Sequence, residues 1–163
     1  AFFDGWDTIC NDDFDAFMRA LNACPPQYVR YAERKLIEKD PTGEWCYRFA
    51  HTVTGADVPL LQRAVIDKDP TGQWCYWFAC GVDGADIPLL QRAVIDKDST
   101  GEYLVEWIQS RDSMALLDIV QALVEQNKPV PPLLAEQYPE SLELHKKLQR
   151  AQEQDVRRRW SPF

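Results

Sequence analysis

Residues 40–68 read DPTGEWCYRFAHTVTGADVPLLQRAVIDK, and residues 69–97 read DPTGQWCYWFACGVDGADIPLLQRAVIDK. The two 29-residue segments differ at only six positions, which are Glu44/Gln73, Arg48/Trp77, His51/Cys80, Thr52/Gly81, Thr54/Asp83 and Val58/Ile87. A fixed period of this size is the signature of stacked structural repeats. The repeat therefore decides the fold class before any other feature of the chain.

Each unit contains two short helical patterns. In the first unit we expect Asp40 to cap a helix that begins with Pro41, since proline needs no amide hydrogen there. Gly55 is expected to end this helix as a left-handed C-terminal cap. Asp57 then caps a second helix, with Pro59 in its first turn.

Both helices carry apolar stripes at helical spacing. The stripe of the first helix consists of Trp45, Cys46, Phe49 and Ala50. The stripe of the second consists of Val58, Leu61, Ala64 and Val65, and is widened by Leu60 and Ile66. Two helices of about 10 residues cannot bury so wide a face alone, so stacking between units must supply the stability.

Weaker copies flank the two units. Residues 29–40 resemble residues 58–69, and residues 98–103 open a later copy that then diverges, with Trp107 in the place of Phe78. Central units that are alike and terminal units that have drifted are typical of capping repeats. We therefore predict an all-α protein, a short right-handed α-solenoid of stacked helix pairs with terminal capping helices.

The chain is predicted to form a single helical-repeat domain. Its parts are an N-terminal cap with a degenerate repeat (1–39), two near-identical repeats (40–97), a diverged C-terminal repeat (98–126), and a Pro-rich break with a polar tail helix (127–163). Residues 1–11 are apolar enough to fold back over a first helix capped by Asp12 or Asp13, and Ser113 is expected to cap a later helix. The tail helix has three possible places: on the acidic body, on a partner, or disordered.

The net charge of −8 is unevenly distributed. Residues 1–140 carry 23 acidic and 12 basic side chains, whereas residues 141–163 carry 3 acidic and 6 basic ones. An acidic body argues against direct binding of nucleic acid, because phosphate contacts need Lys and Arg. It suits a basic protein partner, which it would attract electrostatically, although acidity can also serve solubility alone.

Cysteine usage and hydropathy predict a cytoplasmic protein. The five cysteines form an odd set, Cys10, Cys24, Cys46, Cys75 and Cys80, of which Cys46 and Cys75 occupy the same apolar position of successive units. Free, buried cysteine favours a reducing compartment over a disulfide framework. No apolar run reaches the roughly 18 residues of a membrane span, and no signal segment is recognised. Because the first residue is Ala1, we expect that an initiator Met or a tag remnant has been removed.

Motifs for catalysis or metal binding are not found. The sequence contains no HExxH, P-loop, GxGxxG or CxxC motif, and its two histidines, His51 and His145, have no zinc-ligand spacing. The aspartates near the N-terminus lack the spacing of an EF-hand. We therefore predict no metal, no cofactor and no enzymatic activity. The enzyme alternative predicts a concave pocket that contains a perturbed His51 or carboxylate.

The positions that differ between the two units point to a binding surface. Positions 44, 48, 51 and 52 follow one face of the first helix, opposite its apolar stripe. Trp, Tyr and Arg, which dominate interface energetics, occur there. The candidate partner-binding surface, here called the ridge, consists of Glu44, Tyr47, Arg48, His51, Gln73, Tyr76, Trp77, Cys80 and Asp83. The alternatives are that Trp77 packs on a flanking unit or the tail, and that exposed positions have simply drifted.

The motifs WCYxFA and GADIxxLQxAVI resemble bacterial short helical repeats and, more broadly, HEAT-like α-solenoids. This resemblance implies protein binding. In size and acidity the chain is similar to immunity proteins that block a basic toxin or nuclease. A partner of that class would be held by Glu44, Arg48, His51, Gln73 and Trp77. The alternative binding role is a scaffold or adaptor segment.

Overall fold

The computed structural model describes residues 13–23, 25–110 and 115–161. These residues form ten α-helices and no strand. In chain order the helices are α1 (Phe14–Asn22), α2 (Val29–Lys39), α3 (Glu44–Thr52), α4 (Val58–Lys68), α5 (Gln73–Gly81), α6 (Ile87–Lys97), α7 (Glu102–Ser110), α8 (Ala115–Glu125), α9 (Pro132–Gln137) and α10 (Glu140–Trp160). The predictions for residues 1–11, Cys10, Cys24 and Ser113 lie outside the described residues.

The helices pack mainly on neighbours in the chain. α3 packs on α4 and α5 packs on α6, while α3 also contacts α5, and α2 contacts α4. One core cluster runs from Phe17 in α1 to Leu134 in α9, and its largest fully buried side chains include Phe49 and Phe78 at equivalent positions of the two units. The all-helical prediction is confirmed for the described residues. None of the helices described has the length and hydropathy needed to cross a membrane.

The first helix of each unit begins later than the sequence predicts. α3 begins at Glu44, after a turn in which Gly43 has a φ of +89°. Pro41 lies in this turn, so the prediction that it is the first helical residue is wrong. The turn brings the Asp40 carboxylate to the amides of Gly43 and Cys46, each 2.8 Å away. The Asp40 carboxylate therefore caps α3, although Asp40 lies four residues before the first residue of that helix.

The same arrangement recurs in the next two units. Asp69 and Asp98 each accept the amide of the glycine three residues later and the amide six residues later, at 2.9–3.0 Å. All three aspartates are at most 3% exposed. A buried carboxylate is stable only when its oxygens are hydrogen-bonded, and here each oxygen accepts a backbone amide. The cap is thus a repeated structural device.

Polar side chains also join the end of each unit to its start. Lys68 Nζ donates to the carbonyl oxygen of Asp40 at 2.7 Å, and Lys97 Nζ donates to that of Asp69 at 2.8 Å. Each lysine lies at the end of a second helix and reaches the start of the same unit. Since the Asp40 and Asp69 carboxylates cap α3 and α5, each lysine ties the end of its unit to that cap.

A second set of contacts ends at the start of each second helix. Glu33 is fully buried, and its carboxylate accepts bonds from the Asp57 amide at 2.6 Å and from Arg30 Nη1 at 2.9 Å. One unit later, Gln62 Oε1 accepts the Asp86 amide at 2.8 Å. The uncharged glutamine makes the same backbone contact without a cation. These bonds position the N-terminus of α4 and of α6.

The second helix matches its predicted cap and most of its predicted buried face. Asp57 caps α4 by accepting the Leu60 amide at 3.2 Å, as predicted. Leu61 and Val65 are fully buried, but Leu60 is 38% exposed. The prediction that Leu60 widens the buried face is therefore wrong.

The tail helix lies on the body only with its first half. α10 packs on α8 and α9, and Ser141 is buried there. His145 Nε2 hydrogen-bonds with the carbonyl oxygen of Lys128 at 2.8 Å. From position 149 to position 161 every residue is exposed. Of the three places predicted for the tail helix, the structure thus shows one, the body, and only the beginning of the helix lies there.

Candidate functional site

Trp77 is the most prominent side chain of the ridge. It is 41% exposed, and its ring lies 5.3 Å from the ring of Tyr76 in an edge-to-face arrangement. Tyr76 itself is only 5% exposed and packs with its ring 6.0 Å from the rings of Tyr103 and Trp107. Burial raises the pKa of the Tyr76 hydroxyl. Tyr76 thus supports the Trp77 ring from below and offers little surface of its own.

Arg48 occupies the position of Trp77 in the preceding unit. Its guanidinium carbon lies 5.1 Å from the ring centre of Phe14 in α1, and its Nε lies 3.4 Å from a carboxylate oxygen of Glu44. Such contacts at an exposed site contribute little stability, but they restrict the side chain to one region. Arg48 and Glu44 are therefore arranged side by side before any partner arrives.

His51 joins the two near-identical units. Its Nδ1 lies 2.8 Å from the carbonyl oxygen of Gly81. Because a carbonyl only accepts, Nδ1 must carry the hydrogen, which places the lone pair of a neutral ring on Nε2. The Tyr47 ring stacks on His51 with centres 5.8 Å apart and lies 5.9 Å from the Trp74 ring. His51 and Tyr47 are thus held in place by the next unit.

The difference between Thr52 and Gly81 has a packing explanation. A side chain at Gly81 would place its Cβ 3.3 Å from both His51 Nδ1 and the hydroxyl of Tyr47. That distance is tighter than ordinary van der Waals contact, so glycine leaves room for these two side chains. This position therefore differs between the units for a reason that needs no partner.

The remaining predicted residues lie at the surface with Trp77. Gln73 is half-buried, whereas Cys80 and Asp83 are exposed. A groove of ≈ 450 Å³ lies at the edge of this group, between the ends of α3 and α5, and His51, Gly81 and Asp83 are among its lining residues. The exposed residues of the ridge thus lie on α3, on α5 and in the turn after α5, and the groove lies at one end of them.

Two acidic residues extend this surface onto α7. They lie in the diverged repeat, so a comparison of the two near-identical units does not find them. Glu102 and Glu106 follow Gln73 and Trp77 by 29 residues, and Glu102 is exposed while Glu106 is half-buried. Burial raises the pKa of the neighbouring Tyr103, and the charges of these glutamates raise it further. They could be predicted from the sequence by applying the 29-residue period once more after the second unit.

The chemically reactive side chains include two buried thiols, those of Cys46 and Cys75. Burial is the main cause that raises the pKa of the Cys46 and Cys75 thiols, and the carboxylates of Asp40 and Asp69 add to it. Both thiols are therefore protonated at neutral pH and unsuited to nucleophilic attack. Within residues 13–23, 25–110 and 115–161, no three His, Cys, Asp or Glu side chains are grouped to hold a metal ion. Comparison with protein-family models, with curated proteins and with solved structures found no match.

Proposed function

We propose that the protein is a non-enzymatic protein-binding module, built as a short right-handed α-solenoid of stacked helix pairs. The 29-residue sequence repeat and the identical carboxylate caps at Asp40, Asp69 and Asp98 support this architecture. In such arrays each unit contacts only its neighbours, and the exposed ridge of successive helices is a common recognition surface. The module acts in the cytoplasm, where the thiols of Cys46 and Cys75 stay reduced.

The partner we propose is a single basic protein that the module binds and blocks, in the manner of a toxin-immunity protein. The observation that carries this proposal is Trp77, a large aromatic side chain left 41% exposed on a rigid aromatic base. Acidic residues lie on the same part of the fold: Asp83 is in the turn after α5, and Glu102 and Glu106 are on α7. An aromatic anchor within complementary charge is typical of interface hot spots.

The test begins with capture of partners by the wild-type protein and by a Trp77→Ala, Arg48→Ala double variant. A captured protein is then purified, and its affinity is measured by calorimetry. We expect one basic partner in a one-to-one complex. Truncation of a central Trp typically costs about 2 kcal/mol or more of binding energy, which corresponds to roughly 30-fold weaker binding. Leu133→Ala is a matched control, because Leu133 is 39% exposed but lies on α9.

Equal affinity of the double variant and the wild type would refute the assignment of the ridge. A scaffold or adaptor, the alternative function, would bind several partners weakly in place of one tightly. The enzyme alternative would require that His51→Ala abolish an activity toward a small substrate while leaving partner binding intact. Each function therefore has its own experimental result.

A further inference from the structure

The tail helix α10 carries an apolar stripe that stays exposed in the part of the chain that the structure describes. Leu142 is 44% exposed, Val156 is 51% exposed and Trp160 is 83% exposed. Steps of 14 and 4 residues return to one side of an α-helix, so the three side chains share a face. α10 packs on α8 and α9 through its first half, where Ser141 is buried. The stripe therefore lies apart from the contacts that hold α10 on the body.

The positions between these three residues complete a heptad pattern. Alternate steps of four and three residues from position 142 to position 160 give one series, which consists of Leu142, Lys146, Gln149, Glu153, Val156 and Trp160. Side chains at this spacing form one seam, along which a second helix packs in a coiled coil. All six residues are exposed. They are here called the α10 seam.

The body lies on a different side of α10 from the seam. The buried and half-buried residues of α10 are Ser141, Leu144, His145 and Leu148. At about 100° per residue, their mean direction differs from that of the seam by roughly 135°. A second helix can therefore lie along the seam without displacing the body.

The residues of the seam suit a second α10 that runs in the opposite direction. An antiparallel pair of α10 helices centred near position 151 brings unlike seam residues of the two copies together, namely Leu142 with Trp160, Lys146 with Val156, and Gln149 with Glu153. A parallel pair would instead place Lys146 against Lys146 and Glu153 against Glu153, and like charges that face each other repel. It would also bring both bodies to the same end of the pair. The pattern therefore favours the antiparallel arrangement.

Charged residues beside the seam are complementary in this arrangement. Glu143, Arg150 and Arg157 repeat every seven residues, each directly after a seam residue. In the antiparallel pair, Glu143 of each copy faces Arg157 of the other, so the contact occurs twice. Arg150 lies near the two-fold axis, beside Glu153 of the second copy, which offsets the repulsion between the two Arg150 side chains.

These charged groups are available for contacts between copies. Arg150 and Arg157 are exposed, and neither makes an ion pair with any residue that the structure describes. Glu143 accepts a hydrogen bond from Lys146 Nζ at one carboxylate oxygen, 3.2 Å away, and its side chain is 79% exposed. Because an exposed ion pair within one helix contributes little stability, the other oxygen of Glu143 is free to accept from a second cation.

The distribution of net charge supports the same arrangement. Residues 141–163 carry 3 acidic and 6 basic side chains, whereas residues 1–140 carry 23 acidic and 12 basic ones. An antiparallel pair places the basic end of each α10 near the acidic body of the other copy. Complementary charge of this kind speeds association and sets the direction of packing.

We propose that two copies of this chain form a dimer by antiparallel packing of their α10 helices along the α10 seam. Each copy supplies the same surface, and the two-fold axis closes the assembly at two chains. The ridge lies on α3 and α5, whereas α10 packs on α8 and α9. The dimer therefore carries two ridges and keeps the one-to-one ratio of module to partner. The inference goes beyond the proposed function and does not depend on it.

Sedimentation equilibrium of the full chain measures the assembly, with a reductant present so that the exposed Cys80 cannot link two chains. A single chain has a mass of 18.9 kDa. We expect association to twice that mass with a dissociation constant below about 100 µM. The mass of a single chain at about 100 µM protein would overturn the proposal. So would a mass that rises beyond the dimer, because a head-to-tail contact of the basic tail with another acidic body does not close.

Charge reversals test the antiparallel direction. Glu143→Arg and Arg157→Glu each place like charges at both symmetric contacts, so each variant alone is expected to dimerise at least about tenfold more weakly than the wild type. In a one-to-one mixture of the two variants, both contacts join unlike charges again. We therefore expect the mixture to associate within about threefold of the wild type. A mixture that stays as weak as the separate variants would overturn the antiparallel dimer.

Arg158→Glu is the matched control for Arg157→Glu. Arg158 is exposed on α10 and makes the same charge change, but its direction on the helix is opposite to that of the seam. We expect Arg158→Glu to dimerise within about twofold of the wild type. An equal loss in the two variants would overturn the proposal, since net charge alone would explain it. Circular-dichroism melting confirms that each variant folds.

Two tryptophan variants separate this inference from the proposed function. Trp160→Ala is expected to weaken the dimer at least about tenfold, whereas Trp77→Ala is expected to leave it within about twofold of the wild type. An unchanged dimer in Trp160→Ala would overturn the seam as the interface, and so would an equal loss in Trp77→Ala. Failure of the ridge to bind a basic protein would not alter the sedimentation result.

Discussion

The carboxylate of Asp69 provides the most direct test of how this fold is held together. Asp69 is 1% exposed, and it accepts the amides of Thr71, Gly72 and Cys75, each at 2.9 Å. Replacing Asp69 with Ala removes both acceptor oxygens and all three hydrogen bonds at once. The amides of Gly72 and Cys75 are then left buried without a partner, while that of Thr71 is nearer to water.

The expected loss follows from these contacts. A buried amide left without a hydrogen bond costs about 1–3 kcal/mol, so two of them and the weaker third give about 3–5 kcal/mol for Asp69→Ala. Asp69→Asn keeps one oxygen for Thr71 and Gly72 but can turn an NH₂ group toward the Cys75 amide, which gives about 1–3 kcal/mol. Since small domains have a free energy of unfolding of about 5–15 kcal/mol, either loss is large.

Urea unfolding at neutral pH, followed by circular dichroism, measures both variants. Asp67→Ala is the matched control, because Asp67 is exposed two residues away, and we expect it to change the free energy of unfolding by less than about 0.5 kcal/mol. If Asp69→Ala fell within that same range, the carboxylate would not hold the start of α5. Should Asp69→Ala not fold, the smaller change in Asp69→Asn still gives a measurable value.

Two further predictions concern backbone packing and acid stability. Gly72 and Gly84 have φ values of +85° and +80°, but only at Gly72 would an added Cβ meet the neighbouring backbone, 3.3 Å from Val94 Cα. In thermal and urea unfolding we therefore expect Gly72→Ala to cost about 1–3 kcal/mol more than Gly84→Ala, and equal losses would contradict this packing. The hydrogen bond from Lys128 lowers the pKa of Asp96, so its contribution to stability is present above the ordinary value of about 3.9 and is lost as the pH falls through the lower folded-state pKa. Asp96→Asn should therefore reduce the pH dependence of the free energy of unfolding in this acidic range, and an unchanged dependence would show that the contact does not form in solution.

The helical pattern could be predicted from the sequence because each unit repeats the same local signals. Asp57 caps α4 as predicted, and the polar tail helix predicted after the Pro-rich break extends over Glu140–Trp160. The start of α3 was missed because Asp40-Pro41 has the form of an ordinary cap and first turn. In the structure, Gly43 forms a turn at this point. Its backbone lies so close to Val65 that a Cβ added at Gly43 would be 3.2 Å from the Val65 Cα. That approach depends on another helix, which local sequence rules do not include.

Exposure within a helix depends in the same way on the neighbours. The sequence pattern predicts Tyr76 on the ridge beside Trp77, but the rings of Tyr103 and Trp107 in the following unit cover it. Leu60 was assigned to the buried face, yet no neighbouring helix covers it fully. Helical periodicity gives the direction of a side chain within about a quarter turn, which separates core from surface but not the residues at the boundary.

Comparing the two near-identical units draws attention to positions that differ, such as Arg48 and Trp77, because identical positions are readily explained by packing. Packing does not explain every identical position. Leu61 and Val65 are identical to their counterparts in the second unit and are buried, whereas Leu60 and its counterpart are identical and exposed. A position that is both repeated and exposed suits a ligand that repeats with the same spacing, while a position that differs suits a single, irregular partner surface. An inhibitor needs only the second kind of surface.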